Sequence, residues 1–326
     1  MLRHDILDLL NEQPSENVSG EKISRQLKVT RAAIWKQIKI LKEEGFEIEA
    51  QPKNGYRLLK TPLAMNEWVL KRTLDTRSLG YAIELNEDLP STNERAKELA
   101  RQGAPHGQIV LAKRQSSGKG RLQRQWESPL GGLWMSAVLR PNLSLADATK
   151  ITLAASVAVV DALKELVDRP FGIKWPNDIV FEGRKIAGIL GEVVGEWNVV
   201  QTLILGIGVN VNFLWQRLGD SFSAITLYEL LGYEVDLNRL AAGILRYLES
   251  ELMALEHKEF AELRLKWSER AVGLGKEVRV LRGEQVIEGI FKGISIDGSL
   301  LLETGEGEKS FSAGEVRLRS KQGVYF

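Results

Sequence analysis

Apolar positions at the start of the chain recur at helical spacing. Ile6, Leu7, Leu9 and Leu10 predict one amphipathic helix, and Ser19 stands where it can cap a second, in which Ile23 and Leu27 are one turn apart. Thr30 is a further cap. Behind it Ile34, Ile38 and Leu41 recur at i, i+4 and i+7 and turn inward, leaving Arg31, Trp35, Lys36 and Lys39 on the opposite arc. After Gly45 the period changes to two. Phe46, Ile48 and Ala50 alternate, Pro52-Lys53-Asn54-Gly55 makes a turn, and residues 56–59 form the returning strand of a hairpin. Thr61-Pro62 then marks a boundary, because proline interrupts both helix and ladder.

Beyond the boundary, Ser91 offers a cap for a helix reaching Arg101, with Gly103 just past its end. Residues 108–113 and 133–139 read as buried strands. The apolar helix expected over 147–167 carries Ala154, Ala155 and Ala158, small enough for close packing on a sheet. Strands at 179–181, 185–193 and 199–211 are joined by tight turns at Glu182-Gly183 and Gly195-Glu196, so antiparallel neighbours are expected. From Gly275 onward short strands at 276–281, 286–294, 300–303 and 316–318 alternate with Gly-containing turns, which predicts a small barrel. About 50 residues of strand bury little core alone, so this barrel should lean on what precedes it. The fold class is α+β, with domains at 1–62, 63–272 and 273–326 and a central mixed or antiparallel sheet with helices.

A chain of 326 residues that is 44% hydrophobic and 27% charged is large enough and apolar enough for two or three ordered domains. The net charge of +1 says little about partners, yet it conceals a local excess. From Lys22 to Lys42 there are seven lysines and arginines and no acid. Lys22, Arg25, Lys28, Arg31, Lys36 and Lys39, with Trp35 beside them and Lys53 and Arg57 on the hairpin, suit a DNA groove. The arrangement predicts a winged helix-turn-helix whose second motif helix enters the major groove. A solvated bundle face is the plainer alternative, and an acid-free stripe over two helices joined by a tight turn weighs against it. Absence of cysteine removes disulfides, thiolate nucleophiles and cysteine-held metals. His4, His106 and His257 make no convergent zinc or nucleophile set. No apolar segment follows the first residues and the stretch 151–160 is too short to span a bilayer, so a cytoplasmic protein is expected.

Residues 112–126 combine more cationic and glycine character than any other stretch. Gly118 and Gly120 let the backbone curve, while Lys113, Arg114, Lys119, Arg121 and Arg124 surround the curve with charge suited to carboxylate or phosphate. Trp126 closes the segment. Neither a P-loop nor a Gly-x-Gly-x-x-Gly fingerprint is present. Further on come Lys174-Trp175-Pro176-Asn177-Asp178 and Gly183-Arg184-Lys185-Ile186-Ala187-Gly188-Ile189-Leu190. With Ser91-Thr92-Asn93 upstream and Gly206-Ile207-Gly208-Val209-Asn210 downstream, the set resembles the biotin protein ligase family. Two loop positions depart from that family's pattern. Lys119 replaces an arginine, so a two-pronged clamp becomes a point charge, and Gln123 replaces a glycine, so a positive φ is not expected there and the loop should close differently. The segments from Ser19 to Ser24 and from Thr30 to Lys36 are similar to the N-terminal domain of bifunctional ligases that also repress the biotin operon.

The resemblance implies a class II synthetase-like central domain and an SH3-like C-terminal barrel. It also implies ATP-dependent formation of biotinyl-5′-AMP, with Mg²⁺, and transfer of biotin to a lysine of a biotin carboxyl carrier protein. Repression of biotin synthesis and uptake genes by a homodimer on operator DNA, with biotinyl-5′-AMP as corepressor, would follow. Carried over by position, Ser91, Thr92, Asn93, Gln115, Lys119, Gly120, Arg121, Lys185 and Gly188 would bind biotin. Arg124, Trp126, Lys174, Asn177 and Asn210 would bind nucleotide, and Lys185, Arg121 and Asp178 would serve catalysis. Asp178 has two readings, orienting an amine or metal and capping a turn. Fixed cations in a closed pocket can bring two anions together and stabilise the phosphorus transition state without a covalent enzyme intermediate. A lipoate ligase and a non-catalytic biotin sensor are the alternatives; the Lys174 to Asp178 run speaks against the first, Lys185 and Arg121 against the second.

Overall fold

The structure is a computed structural model that describes residues 2–14, 16–51, 54–141, 143–144, 147–194, 202–215, 224–257, 259–282, 284–312 and 316–322. The chain divides into two compact units, Met1–Arg72 and Thr73–Phe326. The first holds α1 (Leu2–Asn11), α2 (Gly20–Leu27), α3 (Arg31–Glu43), the antiparallel pair β1 (Glu47–Gln51) and β2 (Gly55–Lys60), and α4 (Glu67–Thr73) up to its last residue. Both expected caps form: Ser19 Oγ accepts from the Lys22 amide and Thr30 Oγ1 from that of Ala33. A helix of eight residues such as α2 has no stability of its own. Burial of Ile23 against Ile6, Leu10 and Ile34 holds it, each such side chain contributing about 1.5–3 kcal/mol. Lys28, in the left-handed region at φ 55°, ends α2 and makes the turn into α3 tight. Lys53 of the expected turn lies outside the described residues.

The boundary falls after Arg72 rather than at Pro62. Trp68 of α4 is the cause, since it is buried in the N-terminal core, meets Phe46 edge-on at 6.0 Å and donates its indole N–H to Asp8 at 2.6 Å.

In the second unit, β3 (Ile83–Leu89), α5 (Thr92–Arg101), β4 (Gln108–Gln115), β5 (Leu133–Leu139), α6 (Ala148–Leu166), β6 (Gly172–Lys174), β7 (Asp178–Phe181), β8 (Arg184–Val194) and β9 (Thr202–Val209) follow in order. The strands form a seven-stranded mixed sheet in the order β3-β4-β5-β9-β8-β7-β6. Only its β3–β4 pair is parallel among the described residues. At its centre β5 is buried throughout. Glu182 and Gly183, with φ 46° and 73°, make the tight turn from β7 into β8; the turn expected at Gly195-Glu196 lies outside the described residues. α5 packs against β4, β5 and β9, whereas α6 packs against β8 on the other face, where Thr152 approaches Gly191. α7 (Leu227–Leu231) is bonded through the Leu227 and Tyr228 amides to the Asn210 and Val211 carbonyls just past β9, and α8 (Leu237–Glu256) and α9 (Phe260–Arg270) pack directly on α6.

The C-terminal part is a five-stranded antiparallel sheet of β10 (Glu277–Arg282), β11 (Gln285–Ile294), β12 (Leu300–Thr304), β13 (Gly307–Phe311) and β14 (Val316–Ser320), in the order β13-β12-β11-β10-β14. It leans on the part that precedes it, as expected. Phe291 meets Trp267 of α9 edge-on at 6.4 Å, and Trp175 donates its indole N–H to the Gly298 carbonyl at 3.4 Å.

Candidate active site

One cavity of about 550 Å³ opens on the face of the sheet that carries α5. Every residue assigned above to biotin, nucleotide or catalysis lines it. Its floor is bare backbone, because Gly188 and Gly208 are paired across β8 and β9. The Trp126 indole lies on this pair: a Cβ on Gly208 would come within 2.7 Å of its Nε1, and one on Gly188 within 3.1 Å of its ring. Any side chain there would displace the indole. Trp134 braces Trp126 edge-on at 6.4 Å, and Lys185 Nζ sits 4.7 Å from the Trp126 ring centroid.

At one end the walls are neutral and polar. Ser91 stands at the start of α5 but makes no side-chain cap bond; the Thr92 amide instead donates to Gln115 Oε1 at 2.7 Å, so a strand residue does the capping. Gln115 Nε2 donates to Ser128 Oγ at 2.8 Å. Ser136 Oγ lies 2.7 Å from Thr92 Oγ1 and 2.6 Å from Asn93 Oδ1, while Asn93 Nδ2 donates to Glu192 at 2.7 Å. A buried, mutually bonded set of this kind holds its donors and acceptors in fixed directions. Ser128, Ser136, Glu192 and Trp134 are absent from the expectations above. Ser136 carried a signal, being the polar residue of the apolar run Leu133–Leu139, and a buried hydroxyl needs a partner.

The other end is cationic. Lys185 pairs with Asp178 at 2.5 Å. Lys174, only 3% exposed, has its pKa lowered to about 7: burial is the main cause, Asp178 opposes it, and Arg319, Lys185 and Arg124 add to it. Arg319 on β14 lines the cavity, so the C-terminal sheet contributes to the site; nothing in the local pattern sets it apart from Arg317. Asn210 Nδ2 donates to the Ile225 carbonyl at 3.2 Å. Asn210 Oδ1 and Trp126 Nε1 are buried with no hydrogen-bond partner among the described residues, which leaves one acceptor and one donor for a ligand.

Over this end the basic loop folds back on itself, with the Gly120 amide donating to Arg124 O at 2.7 Å and the Trp126 amide to Gly118 O at 2.9 Å. Between them Leu122 and Gln123 both take positive φ, 56° and 57°. The expectation for Gln123 is therefore corrected. Closing so short a reversal needs left-handed residues, and two side chains bear the cost of about 1–2 kcal/mol each. Arg121 donates to Asn177 Oδ1 at 3.2 Å, and Asn177 Nδ2 donates to the Ile189 carbonyl at 2.6 Å. Lys119, as a point charge, reaches Glu94 at 2.8 Å; with Lys97 it holds that carboxyl below its usual range.

In the N-terminal unit Arg25, Lys28, Arg31, Lys36 and Lys39 are exposed on α2, α3 and the turn between them, and Trp35 is 62% exposed beside them. Lys22 and Arg57 differ. Lys22 donates to Gln13 at 3.2 Å, and Arg57 is paired with Glu49 at 2.8 Å.

The profile of the biotin/lipoate A/B protein ligase family matches residues 85–210, that of an HTH domain residues 2–57, and that of the biotin protein ligase C terminal domain residues 273–319. Bifunctional ligase/repressor BirA of Bacillus subtilis (strain 168) is 37% identical over 320 residues, which are 97% of this chain and 98% of that protein. The chain belongs to the bifunctional biotin ligase/repressor family. BirA of Escherichia coli (strain K12) is 31% identical over 93% of this chain and 94% of its own. Among solved structures, the biotin protein ligase from Aquifex aeolicus in complex with biotin and ATP covers 74% of this chain and 100% of its own, with TM-score 0.64 and 34% identity. Family membership thus spans both units, and the cavity lies in the unit shared with that ligand-bound enzyme.

Proposed function

We propose that the chain joins biotin to ATP as biotinyl-5′-AMP, transfers the biotin to a lysine of a biotin carboxyl carrier protein, and represses transcription through its N-terminal unit. One observation carries the ligase reading: a single cavity runs from a neutral polar end, over a glycine floor, to a cationic end. The fixed donors and acceptors around Thr92, Asn93 and Gln115 suit a rigid cyclic urea. An apolar tail would cross Gly188 beside Trp126, which brings the carboxylate to Lys185. Lys174, Arg124 and Arg319 then meet the triphosphate, and Asn210 Oδ1 suits an exocyclic adenine amine. A volume of about 550 Å³ is in the range of small-molecule sites.

In the first step a carboxylate oxygen attacks the α-phosphorus and pyrophosphate departs. Lys185 would steady the carboxylate and the anhydride that forms, with Asp178 fixing its ammonium, and Arg121 would close over the product. In the second the acceptor amine attacks the biotinyl carbonyl and AMP leaves. Mg²⁺ would arrive on the triphosphate. The exposed cations of α2 and α3 support operator binding, and the homodimer is part of the proposal. No helix of the described residues is long and apolar enough to cross a membrane, and a cytoplasmic site of action is proposed. Pyrophosphate release from MgATP tests the reading. Release is expected with biotin, not with lipoate, and should collapse in Lys185→Met, which keeps the stem and loses the charge; equal release with lipoate would refute the substrate.

A further inference from the structure

Glu192 on β8 reaches α5 with both carboxylate oxygens. Its Oε1 pairs with Lys97 Nζ at 2.7 Å, and its Oε2 accepts from Asn93 Nδ2 at 2.7 Å. An ionised carboxylate only accepts, so the Asn93 amide is turned one way, nitrogen to Glu192 and oxygen to Ser136. Gly206 on β9 leaves room for that oxygen, with which a Cβ would collide. From there polar atoms continue in series. Ser136 Oγ lies 2.6 Å from Asn93 Oδ1 and 2.7 Å from Thr92 Oγ1, and Thr92 Oγ1 lies 3.1 Å from Gln115 Oε1. Gln115 Oε1 accepts from the Thr92 amide and its Nε2 donates to Ser128, so this side-chain amide also has one orientation. The hydrogens available fix the direction of the series. Ser136 and Thr92 bring one hydroxyl hydrogen each to these three approaches, and neither amide oxygen can donate. One approach is therefore without a hydrogen. Hydroxyl bonds span about 2.5–3.0 Å, so it is the one between Thr92 and Gln115. Ser136 gives its hydrogen to Asn93, Thr92 gives its own to Ser136, and Thr92 Oγ1 and Gln115 Oε1 are left as two acceptors side by side. Both residues line the cavity. A ligand N–H placed between them relieves their repulsion, whereas a ring oxygen adds to it.

We propose that Glu192 is a positioning residue that selects a head group carrying an N–H donor, by setting through Asn93 and Ser136 the direction in which Thr92 gives its hydrogen. This rests on the reading of the neutral end as the seat of a cyclic urea. Glu192→Gln keeps the size of the side chain and reverses the series. The Lys97 ammonium holds the oxygen of the new amide, whose N–H groups then face Asn93 and turn that amide over. Asn93 nitrogen donates to Ser136, Ser136 to Thr92 and Thr92 to Gln115. The missing hydrogen is then supplied from within the protein, and the pair of open acceptors is gone.

The test is calorimetric titration of the full chain with biotin and with the two cyclic carbamates in which one or the other ring N–H of biotin is replaced by oxygen. The wild type should bind one of the carbamates about 10²-fold more weakly than biotin, since its oxygen meets two acceptors. In Glu192→Gln that ratio should fall by about 10-fold or more, because biotin binds more weakly and the carbamate does not. Ser136→Ala, which cuts the series with Glu192 in place and frees the Thr92 hydrogen for Gln115, should lower the ratio likewise, and the double variant should lower it no further. An unchanged ratio in Glu192→Gln, even with both affinities reduced, would leave Glu192 a structural part only and overturn the proposal, as would independent, additive effects of the two substitutions. A wild type that binds biotin without preference over either carbamate overturns it alone; one that binds none of the three overturns the reading of the cavity as well.

Discussion

Arg121 reaches Asn177 across the mouth of the cavity, and that amide is itself held by the backbone of β8. The guanidinium thus links the loop to the sheet. A hydrogen bond to a charged group is worth about 1.5–3 kcal/mol, so Arg121→Gly should let bound adenylate escape about 10- to 100-fold faster. Its synthesis should slow less, because Lys185 and Asp178 are untouched. Chasing labelled adenylate from the variant measures this; a product held as tightly as in the wild type would rule out a lid. Neighbouring residues show how far single positions can be read. Asn93 stands out from its motif as a candidate, and the structure places it in the cavity wall, but its partners Ser136 and Glu192 are 43 and 99 positions away and meet it only once the sheet has formed. Gln123 escapes such reading for a related reason: the cost of a left-handed side chain is local, whereas the bond from Gly120 to Arg124 that overrides it belongs to the closed loop.

At the scale of elements, α8 does more than cover α6. Its Glu249 accepts the backbone N–H groups of Arg77 and Ser78 at 2.7 Å and of Leu79 at 3.0 Å, together with the Ser78 hydroxyl at 2.7 Å. Burial raises the pKa of this carboxyl, and these hydrogen bonds, led by Arg77, outweigh burial and lower it below its ordinary 4.5. Its contribution is therefore complete above that value and is lost as pH falls through the depressed one. Glu249→Gln should destabilise the second unit by about 1.5–3 kcal/mol at pH 7, since an amide turns an acceptor into a donor facing backbone donors. Urea unfolding should show the gap between variant and wild type narrowing towards pH 3, and a gap independent of pH would deny the ionised carboxylate its part. Elements with caps and regular spacing, such as α2, α3 and the β7–β8 turn, were legible. β6, with three residues, and β13, reading Gly-Glu-Lys-Ser-Phe, have no apolar pattern of their own and exist because a neighbouring strand pairs with them. α8 is outside the expectations despite its Asp236 cap, because it carries no chemical motif.

For the whole molecule, motifs alone could not supply convergence. Ser91, Trp126, Lys174, Lys185, Asn210 and Arg319 lie on separate segments, and only the sheet order and the lean of the C-terminal strands bring them to one cavity. Thermodynamics joins the two units. If biotinyl-5′-AMP favours the homodimer, and the dimer presents two recognition helices to a roughly palindromic operator, the ligand must tighten operator binding by the same free energy with which the operator tightens ligand retention. Operator affinity should then rise with biotin and MgATP, and adenylate should leave more slowly from the DNA-bound protein. If the exposed cations Arg25, Lys28, Arg31, Lys36 and Lys39 contact phosphates, operator binding should be steeply salt-dependent, since each phosphate that a cation neutralises adds about 0.9 to the steepness of the logarithmic slope. Lys36→Glu with Lys39→Glu, both exposed on α3, is the control in the intact chain. A truncation beginning at Leu63 would remove the core in which Trp68 is buried and leave that indole uncovered. Gel shifts and sedimentation with and without biotin and MgATP decide the matter. Equal operator affinity in both conditions, or undiminished binding by the double variant, refutes the repressor half and leaves the ligase half intact, because the cavity lies wholly within Thr73–Phe326.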